Sequence, residues 1–160
     1  MIIIITGVSG SGKTTIGSLL ANELNWKFYD ADDFHSQANR EKMSKGIALT
    51  DSDRVSWLND LRGLIKTISE ENASGVLACS ALKEAYRDML KVNEQVKFVY
   101  LKGTYQQIET RIKARAGHYM PATLLQSQFD ALEEPEDVLT IDISKTPQDM
   151  IQIIRKGYNV

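Results

Sequence analysis

The sequence lacks the features of several protein classes. It has a single cysteine, so no disulfide bond can form within the chain. That residue, Cys79, lies in the apolar run GVLAC and is expected to be a reduced core residue, as in a cytoplasmic protein. The formal net charge is −2 with both signs interspersed, so there is no basic surface typical of nucleic-acid binding. The expected ligands are therefore small molecules.

Long hydrophobic runs are also missing. The opening MIIII is short, has no basic flank and runs into glycines, so it is expected to be neither a signal peptide nor a membrane-spanning helix. No other segment approaches the length needed to cross a membrane. At 160 residues and 42% hydrophobic composition, residues 1–160 are expected to form a single domain with a substantial core.

Short apolar runs alternate with helical patterns along the chain. The runs are IIII (2–5), a weaker WKFYD (26–30), VLAC (76–79), VKFVYL (96–101) and VLTIDI (138–143). Continuous apolar runs are typical of strands that are buried on both faces. Strands that alternate with helices predict an α/β fold with a parallel sheet and ligands at the carboxyl ends of its strands.

The helical patterns have apolar residues spaced three or four apart, at 16–24, 55–68 and 82–90. A capping-box pattern, Thr50 to Asp53, precedes the second of them. Thr146 followed by Pro147 predicts the start of a last helix.

A phosphate-binding motif follows the first predicted strand. The segment GVSGSGKTT satisfies G-x-x-x-x-G-K-[ST] with Gly7, Gly12, Lys13 and Thr14. Glycines let the backbone turn tightly and direct its N–H groups at phosphate oxygens, and the following helix points its positive end at the same place. Lys13 would reach the β- and γ-phosphates and Thr14 would ligate Mg²⁺. The motif predicts binding of a nucleoside triphosphate.

Two classes of protein remain open at this point. A GTP-dependent switch is suggested by DLRG (60–63) and SALK (80–83), but DLRG lies inside a helical pattern and no N-K-x-D motif occurs. A small kinase needs a bound acceptor and a lid that excludes water, and the sequence has candidates for both.

The acceptor candidate is YDADDFH (29–35), at the end of the second predicted strand and therefore beside or close to the first. We assign Asp30 to the Mg²⁺ shell through water, and Asp32 to an acceptor hydroxyl as orienting group or general base. Asp33 is either a further member of the site or the N-cap of a helix that runs through His35 to Met43. His35 taken alone is more typical of a helix face than of a catalyst.

The lid candidate is RIKARAGHYM (111–120), in which Arg111 and Arg115 are four residues apart and so are expected on one helical face. They would form a hinged phosphate clamp, the alternative being solvated surface charge. Arg54, Lys83 and Arg87 supply further cations that could neutralise an anionic acceptor, although each taken singly could be a surface charge.

Together these motifs resemble a known family. GVSGSGKTT, DADDFH with NREKM, ALTDSDR, CSALKEAYRD and RAGHYMP with LLQSQFDALEEP are similar to the small P-loop gluconate kinases, whose fold is similar to that of shikimate and nucleoside monophosphate kinases. The resemblance covers about residues 2–143. It implies a three-layer fold with a five-stranded parallel sheet and a mobile lid at about 112–135. It also implies transfer of the ATP γ-phosphoryl group to the 6-hydroxyl of D-gluconate with Mg²⁺, and a homodimer.

The resemblance also assigns roles to individual residues. Lys13, Asp32 and Arg115 would be catalytic, and Arg111 would lie against the adenine. The residues that would bind the nucleotide are Gly7, Ser9, Gly10, Ser11, Gly12, Lys13, Thr14, Thr15, Arg111, Arg115 and Thr146, the last in a base-site segment at 144–147. The residues that would line the sugar-acid pocket are Asp32, His35, Arg54, Lys83, Arg87, His118 and Gln128. An alternative acceptor is another hydroxy acid such as shikimate, and a nucleotide-dependent regulator is the alternative outside enzymes.

The chain departs from the family at three prolines. Ser36, Ala48 and Ser56 stand where the family usually has proline. Proline fixes φ and stiffens a segment, so its loss removes no chemical group but is expected to loosen the acceptor-side helices and to affect affinity and acceptor range.

Overall fold

The protein forms a five-stranded parallel sheet with helices on both faces. The computed structural model describes residues 1–115, 117 and 120–160. Its strands are β1 (Ile2–Thr6), β2 (Lys27–Asp30), β3 (Gly75–Ala78), β4 (Val96–Lys102) and β5 (Leu139–Asp142). Its helices are α1 (Lys13–Leu24), a 3-10 helix (Ala31–Phe34), α2 (Gln37–Ser44), α3 (Asp51–Glu70), α4 (Glu84–Leu90), α5 (Tyr105–Ala114), α6 (Ala122–Ala131) and α7 (Pro147–Tyr158). The α/β fold predicted from the alternating pattern is confirmed.

The strand order is β2-β3-β1-β4-β5, with all neighbours parallel. The sheet thus extends from β1 in both directions, and a ligand crevice forms at the carboxyl ends of the strands where the order reverses. β3 lies between β1 and β2, so the acidic segment is one strand away from the phosphate motif. That spacing agrees with the prediction that β2 is beside β1 or close to it.

Both faces of β1 are buried, which explains its uninterrupted apolar sequence. Ile3 and Ile5 belong to a core on one face of the sheet that includes residues of α1 and α7. Ile2 and Ile4 belong to the core on the other face, which includes residues of α3 and α4. Full burial stabilises each such side chain by roughly 1.5–3 kcal/mol relative to exposure. The central strand is therefore a rigid base for the loop that follows it.

The predicted helix starts are confirmed at two positions. Thr50 and Asp53 form a reciprocal capping box at α3: the Asp53 carboxylate accepts from Thr50 N at 2.9 Å, and the Thr50 hydroxyl oxygen accepts from Asp53 N at 3.1 Å. Thr146 caps α7, with Pro147 in its first turn. Residues 60–63 (DLRG) lie within α3, as expected, so they do not form a switch loop after a strand.

Three details of the sequence prediction are wrong. Asp33 does not cap the helix that follows it, because it lies in the 3-10 helix and α2 is capped by Ser36, whose hydroxyl oxygen accepts from Asn39 N at 3.2 Å. Leu82 precedes α4 instead of belonging to it. Arg115 does not share a helical face with Arg111, because α5 ends at Ala114 and Arg115 has extended backbone angles.

None of the helices within the described part of the chain is long and apolar enough to span a membrane.

Candidate active site

The phosphate motif forms a tight loop between β1 and α1. Gly7 has a φ of +145°, and an added Cβ would lie 2.8 Å from the Ser11 hydroxyl and 2.9 Å from the Leu101 carbonyl oxygen. Gly12 precedes α1 with a φ of +102°, in the left-handed region that favours glycine. Only glycine fits at position 7 without a clash, and Gly12 lets the chain turn into the helix. The positive end of α1 therefore faces the loop.

Lys13 folds back over this loop. Its ammonium group donates to the Val8 carbonyl oxygen at 2.9 Å. Burial lowers the pKa of Lys13, while the nearby carboxylates of Asp32 and Asp30 oppose that shift. The amine is thus held at the loop by its own backbone, close enough to both carboxylates for their charges to interact.

A cleft of about 1110 Å³ opens above the carboxyl ends of the strands. This is large enough for two small ligands side by side. The structure brings most of the predicted site residues together here. They are Ser9, Gly10, Gly12, Lys13, Thr14, Thr15, Asp30, Asp32, His35, Arg54, Lys83, Arg115 and Gln128.

Two acidic residues at the carboxyl end of β2, Asp30 and Asp32, have different environments. Asp30 accepts from the Thr14 hydroxyl at 2.9 Å through one oxygen and from Asp32 N at 3.0 Å through the other, so its carboxylate is fixed. Asp32 has its pKa raised, first by partial removal of water around its carboxyl and then by the negative charge of Asp30. The carboxylate of Asp32 is therefore more basic than that of an ordinary aspartate.

His35 lines the cleft from a buried position. Its ring stacks on Trp57 with 4.4 Å between ring centroids, and its Nδ1 is buried without a hydrogen-bond partner. Burial, followed by the positive charges of Arg54 and Arg40, lowers the pKa of His35 to about 4. The imidazole is therefore neutral at physiological pH.

Contacts between α2 and α3 fix the acceptor side of the cleft. Lys42 forms an ion pair with Asp53 at 2.8 Å, and this contact contributes most to lowering the Asp53 pKa to about 2. The Asn39 side chain donates to the Asp53 carbonyl oxygen at 2.8 Å. One turn into α3, Arg54 donates to the Leu49 carbonyl oxygen at 2.5 Å. These contacts hold the first turn of α3 in place.

Arg87 does not line the cleft, which differs from its predicted place in the acceptor pocket. Its side chain is buried, and it donates to the carbonyl oxygens of Ala81 and Leu82 at 3.0 and 3.1 Å. Ala81 has a φ of +39°, unusual for a residue other than glycine. The guanidinium therefore supports the backbone of the loop that presents Lys83 to the cleft.

Two residues predicted for the nucleotide site, Arg111 and Thr146, do not line the large cleft. Arg111 donates to the Ser11 carbonyl oxygen at 3.3 Å and to the Ile143 carbonyl oxygen, beside a smaller cleft that includes Ser144. Thr146 lines neither cleft; its hydroxyl caps α7 and bonds with Asp149. Arg111 therefore joins the phosphate loop to the segment after β5.

Gly7 and Ser11 shape the loop from beneath, and the wholly buried Ser11 hydroxyl has no hydrogen-bond partner. His118, predicted for the acceptor pocket, lies outside the described residues.

Gln128 reaches the phosphate loop from α6. Its side-chain oxygen accepts from the backbone N–H of Ser9 at 2.6 Å. The resemblance had assigned this residue to the acceptor, and the structure places it against the loop that precedes Lys13. This contact joins two segments that are far apart in sequence.

Sequence reasoning missed three residues at this site: Trp57, Asp51 and Tyr86. Trp57 provides the stacking surface for His35. Asp51 accepts hydrogen bonds from Lys83 and from the Tyr86 hydroxyl, and the Lys83 ammonium group lies over the Tyr86 ring. The apolar spacing at 82–90 marked Tyr86 only as a position on a helix face. Asp51 lies inside the predicted capping-box pattern, so it was interpreted as part of a helix start. Their contacts depend on how α3 and α4 pack, for which the sequence has no local signal.

Within the described residues, no group of three or more His, Cys, Asp or Glu side chains could hold a metal ion. The pair Thr14 and Asp30 supplies hard oxygen atoms at the mouth of the phosphate loop. Magnesium is commonly bound by one or two carboxylates together with substrate phosphates and water. The donor set therefore fits a metal that arrives with a nucleotide.

Comparison with known proteins identifies the family. The profile of the family described as "Shikimate kinase" matches residues 9–140. The "Thermosensitive gluconokinase" of Escherichia coli (strain K12) is 48% identical over 146 residues, which cover 88% of this chain and 78% of that protein. A "Probable gluconokinase" of Rattus norvegicus is 45% identical over 166 residues, which cover 90% of each.

The fold agrees with this result. The solved structure of a sugar kinase from Janibacter sp. HTCC2649 is 40% identical, with a TM-score of 0.91, and the match covers 99% of this chain and 94% of that one. These relationships favour the kinase class over a nucleotide-dependent regulator. The chain is a nucleotide-using phosphotransferase that belongs to the gluconokinases of the shikimate kinase family.

Proposed function

We propose that this protein transfers the γ-phosphoryl group of ATP to the 6-hydroxyl group of D-gluconate, with Mg²⁺ as the metal. The observation that carries the proposal is the cleft, which has a phosphate loop at one side and Asp32, His35, Arg54 and Lys83 at the other. The named activity of relatives 45% and 48% identical over about nine-tenths of the chain supports the same reaction.

The phosphate side would stabilise charge as it develops. Backbone N–H groups of the loop and the positive end of α1 would bind the ATP phosphates, and Lys13 would leave the Val8 carbonyl oxygen to contact the transferred group. Arg115, which lines the same cleft, would add a second cation. Preorganised donors of this kind act mainly on the transition state, where charge spreads over the phosphoryl oxygens.

Magnesium would be held by the Thr14 hydroxyl oxygen and, through water, by Asp30. The Thr14 hydroxyl donates a hydrogen bond to Asp30, which leaves the lone pairs of its oxygen free to face a cation. When bound, the ion would neutralise the β- and γ-phosphate oxygens.

Asp32 would act on the acceptor hydroxyl. Its raised pKa makes it a better proton acceptor than an ordinary aspartate. As the 6-hydroxyl oxygen bonds to the γ-phosphorus, its proton would pass to Asp32 while the bond from phosphorus to the bridging oxygen breaks and ADP leaves. Positioning of the hydroxyl by the same carboxylate is the alternative role.

The other residues of the acceptor side suit a sugar acid. Arg54 and Lys83 can form charge-assisted hydrogen bonds with a carboxylate. His35 is neutral and has an unpartnered Nδ1, so it can exchange hydrogen bonds with sugar hydroxyls without adding charge. A neutral sugar would leave Arg54 without a carboxylate partner, which is costly once water is excluded.

Shikimate is the second candidate acceptor, because the matching family profile carries the description of shikimate kinase. It too is a monocarboxylate with hydroxyl groups, so the same cations and aspartate would suit it.

A coupled assay of ATP consumption with a panel of gluconate, shikimate and related acids tests the proposal. We expect turnover to be highest with gluconate, to require Mg²⁺ and to be lost in Lys13→Ala. Rates on shikimate that equal or exceed those on gluconate would contradict the acceptor assignment. Near-normal kcat in Lys13→Ala would contradict the assignment of the phosphate loop.

Three further properties are proposed on the resemblance to gluconate kinases. They are closure of a lid at about 112–135, assembly as a homodimer and a cytoplasmic location. The single cysteine is buried, which suits a reducing compartment. Sedimentation of the 18.0 kDa chain tests the homodimer directly, since a dimer would have twice that mass.

A further inference from the structure

Lys83, a predicted partner of the acceptor carboxylate, already has a carboxylate partner. Its ammonium group donates to both oxygens of Asp51, at 2.8 and 3.0 Å. The Tyr86 hydroxyl donates to one of the same oxygens. Arg54 and Lys83 both lie over the Tyr86 ring, each 5.8 Å from its centroid. We call these four side chains the Asp51 cluster.

The Asp51 cluster faces the cleft and is accessible to a ligand. Asp51, Arg54 and Lys83 all line the cleft, and the Asp51 and Lys83 side chains are 65% and 31% exposed. Asp51 is the first residue of α3, directly after the N-cap Thr50, so the capping box fixes its backbone. Its carboxylate is therefore held at the cleft, where an anionic acceptor would have to approach Lys83.

Charge counting shows what Asp51 does to this side of the cleft. Arg54 and Lys83 carry two positive charges, and Asp51 cancels one of them. Two hydrogen bonds of Lys83 go to Asp51, which leaves one N–H of the three on its ammonium group for a ligand. A carboxylate that binds here must share Lys83 with Asp51 and is repelled by Asp51 itself.

We propose that Asp51 is a specificity-determining residue that acts as an internal competitor of the acceptor carboxylate for Lys83. It reduces the net charge of the Asp51 cluster to +1, so the cluster suits a single carboxylate and binds it less tightly than two free cations would. The inference rests on the proposed function, because it requires the acceptor to be a sugar acid.

The Asp51→Asn variant tests the proposal, because asparagine keeps the shape and an acceptor oxygen for Lys83 and Tyr86 while removing the charge. We expect the gluconate KM and the Kd from calorimetry to fall about three- to tenfold, the size of one exposed charge pair. The ATP KM should stay within about twofold, because the cluster lies on the acceptor side.

The matched control is Asp60→Asn, which removes the same charge from an exposed position of the same helix. It should leave both KM values unchanged. In a Lys83→Met background, Asp51→Asn should no longer tighten gluconate binding, because the ammonium group for which Asp51 and gluconate compete is absent. Thermal melting of each variant reports any loss of folding separately.

An unchanged or raised gluconate KM in Asp51→Asn would overturn the inference, a rise indicating that Asp51 accepts a hydrogen bond from a sugar hydroxyl. An equal effect of Asp60→Asn would overturn it as well, since long-range charge would then be the cause. Failure of the proposed function would show differently, as absence of gluconate-dependent turnover in the unmodified protein.

Discussion

At the scale of single residues, the surroundings of a side chain set its charge state more than its type does. His35 is buried against the Trp57 ring and experiences the positive charges of Arg54 and Arg40, so its pKa falls to about 4. Asp32 is partly shielded from water and lies near the negative charge of Asp30, so its pKa rises. Both shifts disfavour the charged form of the side chain in the absence of ligands.

The shift of His35 predicts how stability depends on pH. The pKa of His35 is about 4 in the folded protein and about 6.5 in the unfolded chain, so the unfolded chain binds more protons between these values. The free energy of unfolding should therefore decrease as the pH falls from about 6.5 to 4, by up to about 3 kcal/mol from this residue alone.

The variant His35→Phe should keep the stacking on Trp57 and lose this contribution. Urea unfolding of both proteins between pH 7 and pH 4 measures the difference, because the carboxylates that also titrate are common to the two. If the free energy of unfolding falls equally with pH in the two proteins, His35 is not protonated more readily in the unfolded chain.

At the scale of elements, α2 is capped by Ser36, at a position where the resemblance to gluconate kinases implies proline. Ser36 has a φ of −60° and caps α2 through Asn39 N, and His35 before it is extended. Both angles are compatible with proline at position 36. The sequence interpretation, that the absent proline removes no chemical group, therefore missed that serine adds a cap.

Two substitutions at position 36 separate these effects. Ser36→Ala removes the cap and should lower the free energy of unfolding by about 1 kcal/mol. Ser36→Pro also removes the cap, but it restricts the unfolded chain, which offsets about 0.4–1 kcal/mol of that loss. Its free energy of unfolding should therefore be close to that of the unmodified protein. Chemical denaturation of the three proteins makes the comparison. If the alanine variant is as stable as the unmodified protein, the cap is not important for α2.

At the scale of the whole molecule, the site is assembled from segments that are distant in sequence. The contact of Gln128 with Ser9 joins α6 to the phosphate loop across 119 positions. Arg111 joins the same loop to the segment after β5, through Ser11 and Ile143. These side chains hold the loop in shape from two sides, which reduces the ordering that nucleotide binding requires.

Gln128→Ala should therefore affect the nucleotide more than the acceptor. Loss of one hydrogen bond to a partly buried N–H is worth about 1 kcal/mol, so we expect the ATP KM to rise about fivefold while the gluconate KM changes less than twofold. Gln126→Ala is the control, because Gln126 is an exposed residue of α6 that bonds to Asp130. A rise confined to the gluconate KM would return Gln128 to the acceptor pocket implied by the resemblance.

The sequence by itself determined the local parts of this protein. The positions of the strands, the α3 and α7 starts and the phosphate loop were predicted correctly, because each depends on neighbouring residues: apolar periodicity, a capping box, or glycines around Lys13. Most of the site residues that these motifs predicted also line the cleft.

Only the tertiary structure decided which side chains meet. That Asp51 holds Lys83 and that Gln128 reaches Ser9 follow from how α3 and α6 pack in the fold. A charged or amide side chain has the same local sequence signal whether it faces water, a ligand or a partner. Its role is fixed by long-range packing, since the atoms that it contacts belong to residues tens of positions away.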